Sequence, residues 1–158
     1  MHYMGKYIHI YSELVGADAK LASNFPEFYP EDCPYAEAIE MDIVVYRYAA
    51  RGYVCEKDFQ SYYEKYPNRD FGQNECVACG VSVYKNMSDL TTEDKSQRTA
   101  LMRRKANQKR ILRIHITPKL GRVVPTSNHG DSHHTWWVYF DADPAPQCQV
   151  IKVGAKNE

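Results

Sequence analysis

Two tripeptides of the form His-x-Thr lie close together in the C-terminal part of the chain, at positions 115–117 and 133–135. Alternate residues of a β-strand point to the same side, so each tripeptide would place an imidazole beside a hydroxyl group on one sheet face. Imidazole ionises near neutral pH, and two histidines can therefore serve as general base and general acid at a phosphodiester. The candidate catalytic residues are His115, Thr117, His133 and Thr135.

Cationic side chains near these tripeptides could bind the phosphate group. Arg113 shares the predicted strand face of His115, and Arg47 lies on an otherwise apolar face of an earlier predicted strand. A guanidinium stabilises the negative charge that develops in phosphoryl transfer. A structural interpretation of Arg47 is also open, in which it sits on an edge strand and reaches water along its own stem. The candidate ligand-binding residues are Arg47, Arg113, Arg122 and His134.

The paired tripeptides are similar to the His-x-Ser/Thr motifs of the two-histidine phosphoesterases. The resemblance covers these two tripeptides, which are 18 positions apart here, whereas the family carries its motifs in two pseudo-symmetric halves. It implies a phosphodiesterase in which the two histidines transfer protons and the hydroxyl groups of Thr117 and Thr135 hold the non-bridging phosphate oxygens.

Two other interpretations of the same segment stay open. One is a nucleotide pocket for nucleotidyl or ADP-ribosyl transfer, built from Arg47, a later histidine or hydroxyl group, and a stacking Tyr or Trp. The other is purely structural, with residues 133–140 forming a strand that is covered on both sides and begins at His133 and His134. Walker, Rossmann, Gly-x-Ser-x-Gly and His-Glu-x-x-His motifs do not occur, so ATPase, dehydrogenase, serine hydrolase and zincin functions lack their usual residues.

Five cysteines cannot all pair with one another, and the first residues show no secretory signal. These features predict reduced thiols and a cytoplasmic location. Cys76 and Cys79 have the spacing that lets two thiolates share a tetrahedral Zn²⁺, and zinc is the cofactor that the sequence suggests. A redox pair and two small buried thiols at a turn are the alternatives. Further zinc ligands would have to come from Cys55, His129, His133 or His134.

The net charge is zero, but residues 95–122 hold ten basic and no acidic residues. Residues 92–109, which overlap the first part of this basic segment, are predicted to form a helix with few apolar side chains. Such a helix could bind an acidic protein or nucleic acid through phosphate neutralisation, or simply face solvent. The candidate partner-binding residues are Arg103, Arg104 and Lys105.

A chain of 158 residues is long enough for one domain. Alternating apolar residues predict strands at 42–50, 81–84, 110–117, 122–126, 133–140 and 147–153. A helix is predicted at 56–66, with an aromatic stripe of core residues at Phe59, Tyr62, Tyr63 and Tyr66. The longest apolar run, 136–140, is too short to span a membrane.

These elements predict the α+β class: a single domain over 1–158, with a mostly antiparallel sheet and two main helices packed on it. Residues 1–41 would form an arm with short elements, irregular and rich in proline and aromatic residues over 24–34, and residues 42–153 the core. The predicted function is a small cytoplasmic domain that binds a phosphate-bearing ligand, nucleotide or RNA, and cleaves or transfers it with its strand histidines. The alternative is a non-enzymatic interaction protein that uses the basic helix, with a Cys-ligated structural zinc.

Overall fold

A computed structural model describes residues 24–91, 110–127 and 130–152. Six antiparallel strands form one sheet in the order β4-β5-β2-β1-β3-β6. This arrangement confirms the predicted α+β class. The strands are β1 (Ile43–Tyr48), β2 (Val81–Tyr84), β3 (Arg110–Ile116), β4 (Gly121–Pro125), β5 (His133–Val138) and β6 (Cys148–Lys152).

The helical elements between these strands are short. The α-helices of the described residues each span four residues: α1 (Tyr62–Lys65), α2 (Glu75–Ala78) and α3 (Ser88–Thr91). Single 3₁₀ turns occupy Glu56–Phe59, Gly72–Asn74, Pro118–Leu120 and Ala145–Gln147. The predicted basic helix over 92–109 lies outside the described residues. No helix in the described part of the chain combines the length and the apolar character needed to cross a membrane.

Each face of the sheet carries a separate hydrophobic core. The first core lies on the face of Val45 and contains Val45, Ala49, Val81, Val83, Leu112, Ile114, Ile116, Leu120, Val123 and Trp136. The second core lies on the opposite face and contains Phe25, Ala38, Cys79, Trp137 and Tyr139, with Phe28 and Tyr29 packed against it. Residues 24–41 therefore lie against the sheet, because their aromatic side chains supply much of the second core.

Strand β5 separates the two cores. Trp136 faces the first and Trp137 the second, and both are fully buried. Each indole also has a backbone acceptor, since Trp136 Nε1 donates to Leu120 O at 3.2 Å and Trp137 Nε1 donates to Cys76 O at 2.8 Å. The strand is thus covered on both sides, as its structural interpretation predicts.

The predicted helix over 56–66 is wrong, because the chain becomes extended at Gln60 and Ser61. The cause is a capping box. Ser61 Oγ accepts from Glu64 N at 3.2 Å, and Glu64 Oε1 accepts from Ser61 N at 3.1 Å. These bonds satisfy the first donors of α1 and fix Ser61 as its N-terminal boundary, so no helix runs through it.

The break divides the predicted aromatic stripe. Phe59, before the break, meets Trp136 of the first core with ring centroids 6.1 Å apart. Tyr63, after it, stacks on Phe28 at 5.0 Å beside the second core. The connection from β1 to β2 therefore contributes to both cores, which a single helix face cannot do.

A disulfide joins Cys33 to Cys76, with Cα atoms 5.4 Å apart. The prediction that all five cysteines are reduced is therefore wrong. The zinc site predicted at Cys76 and Cys79 is also wrong, because a disulfide sulfur is not a thiolate ligand. Cys79 is a buried thiol whose pKa is raised to about 12, first by burial. Among the described residues no group of three or more His, Cys, Asp or Glu side chains could hold a metal ion.

Replacement of Gly121 by alanine should destabilise the protein strongly. Gly121 has a φ of 142°, which L-residues rarely adopt, and a Cβ there would meet the carbonyl oxygen of Trp137. We expect Gly121→Ala to lower the free energy of unfolding by about 3 kcal/mol and Tm by roughly 6–12 °C. The matched control is Gly52→Ala, where nothing lies within 4 Å. Equal Tm values for the two variants would contradict the placement of β4 against β5.

Reduction of the disulfide should also destabilise the fold. The bond closes a loop with a sequence separation of 43 between Cys33 and Cys76, so its loss should cost about 2–4 kcal/mol. We expect reductant to lower Tm in the wild type and in Cys55→Ser, but not in Cys33→Ser. Alkylation of the denatured protein should label three thiols before reduction and five after it. Labelling of all five without reductant would disprove the bond.

Candidate functional site

The strand register shows which of the predicted site residues share a face. Tyr46 of β1 pairs with Arg113 of β3 on one side and with Tyr84 of β2 on the other. Tyr84 in turn pairs with His133 of β5. Paired residues of an antiparallel sheet point to the same face, so Arg113 and His133 share the face of the second core. His115, two residues along β3, lies on that face as well.

The two histidines nevertheless lie apart. Strands β1 and β2 stand between β3 and β5, and three strand spacings amount to about 14 Å. His115 is also two residues out of line with His133 in the register. The structure therefore does not bring the two imidazoles side by side at one phosphorus atom.

His115 lies in a polar, open setting. Its Nε2 is 2.7 Å from Asp42 Oδ1, and both side chains are exposed. Thr117 follows β3 and precedes the 3₁₀ turn that begins at Pro118, without a side-chain hydrogen bond to that turn. Through His115 the first tripeptide thus makes a solvent-exposed hydrogen bond to Asp42 near the end of β3.

His133 belongs to a small hydrogen-bonded network. Its Nδ1 is 2.7 Å from Thr126 Oγ1, which in turn is 2.8 Å from the hydroxyl of the buried Thr135. The ring also meets Tyr84 edge to face, with centroids 5.2 Å apart. Burial lowers the pKa of His133, and this outweighs the opposing effect of Asp131. The network satisfies the polar groups where β4, β5 and β2 meet.

The remaining two residues near β5 also have partners. His134 is buried on the first-core face, with Nδ1 2.7 Å from Ser132 O. Arg122 Nε donates to Tyr139 Oη at 3.4 Å, and Tyr139 donates to a carboxylate oxygen of Glu40. These contacts connect β4 to the arm and leave Arg122 far from His115.

Arg47 occupies a different position from the one that the structural interpretation gave it. Strand β1 is central, between β2 and β3, so Arg47 is not an edge residue. It shares the first-core face with Val45, and its Nη1 is buried. Within the described parts of the chain, no acceptor lies within hydrogen-bonding distance of that atom. Burial is the main influence on the Arg47 guanidinium and lowers its pKa, against the nearby charge of Asp58.

A cavity of about 520 Å³ adjoins Arg47. The end of β1, the 3₁₀ turn Glu56–Phe59 and α1 border this cavity. Its lining residues are Arg47, Tyr48, Ala49, Ala50, Lys57, Asp58, Gln60, Glu64, Lys65 and Tyr66. Three of them carry a positive charge and two a negative charge.

Both acidic residues of the cavity already accept hydrogen bonds from the chain. Asp58 is almost fully buried, and its Oδ1 accepts from Ala50 N at 2.8 Å while its Oδ2 accepts from Cys55 N at 2.9 Å. Glu64 Oε1 accepts from the backbone and hydroxyl of Ser61 in the capping box. Their carboxylates hold the cavity wall in place, whereas no described residue accepts a hydrogen bond from Arg47 Nη1.

Sequence reasoning identified Arg47 because one charged residue stood on an apolar strand face, but it missed the cavity. The wall comes from residues 57–66, where the sequence predicts one continuous helix. The missed signal was the Ser61 to Glu64 capping box, which marks the start of a second element. The partner-binding candidates Arg103, Arg104 and Lys105 lie outside the described residues and stay a prediction.

Comparison of the chain with known proteins finds no matching family model, curated protein or solved structure.

The lowered pKa of His133 predicts a pH-dependent stability. The unfolded chain binds a proton to this residue near pH 6.5, whereas the folded protein resists that proton because the ring is buried. The contribution to stability is therefore full above pH 6.5 and is lost as the pH falls below it. We expect denaturant unfolding between pH 7.5 and 5 to show a weaker pH dependence in His133→Asn than in the wild type. The exposed His115→Asn is the control, and an unchanged dependence in His133→Asn would contradict the prediction.

Proposed function

We propose that the protein binds a phosphate-bearing ligand in the cavity beside Arg47. The observation that carries this proposal is the buried Arg47 Nη1, which has no acceptor among the residues that the structure describes. A buried polar donor without a partner costs about 1–3 kcal/mol, and a charged one costs more. An anion bound in direct contact with Nη1 would remove that cost.

The composition of the cavity supports an anionic ligand. Lys57 and Lys65 add positive charge to that of Arg47, while Asp58 and Glu64 accept hydrogen bonds from the chain itself. A guanidinium presents two parallel N–H donors, which match two oxygens of a phosphate group. Lys57 and Tyr66 are exposed, so the cavity reaches the protein surface beside them.

The proposal concerns binding and does not include the two-histidine reaction. Arg47 lies on the first-core face, whereas His115 and His133 lie on the other face of the same sheet. A phosphate at Arg47 would therefore be separated from both imidazoles by the sheet itself. The alternative interaction function depends on the basic residues 103–105, and no contact of the described residues favours it.

The disulfide is relevant to the compartment in which the protein functions. Structural disulfides persist mainly in oxidising compartments and are rare in the cytosol. The bond between Cys33 and Cys76 therefore favours an oxidising compartment over the predicted cytoplasmic location.

The proposal predicts an unusual response to the loss of Arg47. In Arg47→Met the side chain keeps much of its length but carries no buried charge, so we expect the ligand-free protein to become more stable and its Tm to rise. The same variant should lose binding of inorganic phosphate and ribose 5-phosphate in isothermal titration calorimetry, by at least tenfold in affinity.

The matched control is Arg51→Met, which removes the same charge from an exposed position outside the cavity. It should bind both probes as the wild type does. A variant Arg47→Met that melts at a lower temperature and binds both probes normally would show Arg47 to be structural and would overturn the proposal.

A further inference from the structure

Two tyrosines beside the cavity keep their rings exposed. Tyr62 begins α1 and Tyr66 follows its end, and their side chains are 44% and 42% exposed. Their rings stack with an angle of 19° between planes and centroids 6.3 Å apart. Tyr66 also lines the cavity. Flat aromatic surface therefore meets the cavity at its opening.

A planar cation extends this stack. The Arg69 guanidinium lies over the Tyr66 ring, with Cζ 4.2 Å from the centroid, and Lys65 Nζ is 5.8 Å from the centroid of Tyr62. Arg69 itself is exposed. Guanidinium planes and tyrosine rings both stack on nucleobases, and the positive charge adds a cation–π contribution.

Core packing does not account for the exposure of these two rings. The neighbouring aromatic residues Phe59 and Tyr63 pack against the two cores. They supply the apolar contacts between this segment and the sheet. Tyr62 and Tyr66 instead keep part of their ring surface exposed to water, at a cost that a stacking ligand would remove.

We infer that the ligand is a mononucleotide, with its phosphate at Arg47 and its base stacked on the face of Tyr66 that Arg69 leaves open. This inference rests on the proposed function. A cavity of about 520 Å³ is of the size that encloses a whole small ligand. Inorganic phosphate would leave the exposed rings without a role, and a longer RNA chain would need a groove that continues past the cavity.

The test separates the base from the phosphate. Affinities of ribose 5-phosphate, AMP, GMP, CMP and UMP are measured by calorimetry for the wild type and for Tyr66→Leu. In the wild type at least one nucleotide should bind tenfold or more tightly than ribose 5-phosphate, because base stacking supplies the difference. In Tyr66→Leu that ratio should fall towards one, because the variant loses more affinity for the nucleotides than for ribose 5-phosphate.

The matched control is Tyr53→Leu, which removes an equally large ring that is 63% exposed and lies outside the cavity lining. It should keep the wild-type ratio. If ribose 5-phosphate binds and no nucleotide exceeds it, the mononucleotide inference is overturned and the phosphate site stands. If neither ribose 5-phosphate nor any nucleotide binds, the proposed function fails with it. A single-stranded RNA hexamer that binds more tightly than every mononucleotide would overturn the inference in favour of RNA.

Discussion

Strand β5 carries two adjacent tryptophans that point to opposite faces of the sheet, and both are fully buried. This requires cover on both sides, so the sheet cannot leave one face to water at that point. The first core supplies one cover through Phe59, and the arm with α2 supplies the other. The disulfide between Cys33 and Cys76 joins the two parts of the second cover, and Cys76 O accepts the hydrogen bond of Trp137. Residues 24–41 of the arm are therefore part of the fold.

The same sheet tolerates one charge in its centre. Arg47 stands among the apolar residues of the first-core face, where a buried Nη1 with no acceptor in the described parts of the chain opposes stability. The long connection between β1 and β2 does not pack apolar side chains around the Arg47 side chain. It forms a wall of the cavity beside it. Asp58 compensates part of the charge at a distance, and its oxygens are committed to the backbone of the cavity wall. The proposed anion would bind at this buried donor.

The strands were predictable because the alternation of apolar side chains survives in the sheet with little change. Predicted strands 42–50 and 110–117 became Ile43–Tyr48 and Arg110–Ile116. The break within residues 56–66 was not predictable from the spacing of the aromatic residues alone. The spacing that suits one face of a continuous helix also suits two short elements that face different cores. In the candidate site, Arg47 was identified from the sequence but the cavity beside it was not. The cavity wall comes from residues 57–66, where the predicted continuous helix is wrong.

Local sequence determined the strands, the charge on an apolar strand face and the side-by-side placement within each His-x-Thr tripeptide, since all of these follow from neighbours along the chain. Only the tertiary structure decided the strand order, which places β1 and β2 between His115 and His133. It also decided that Cys76 pairs with Cys33 instead of a metal shared with Cys79. The physical reason is the same in both cases. Contacts between distant segments form when both faces of the sheet are buried at the same time, and no local sequence pattern shows which distant segment will bury a given face.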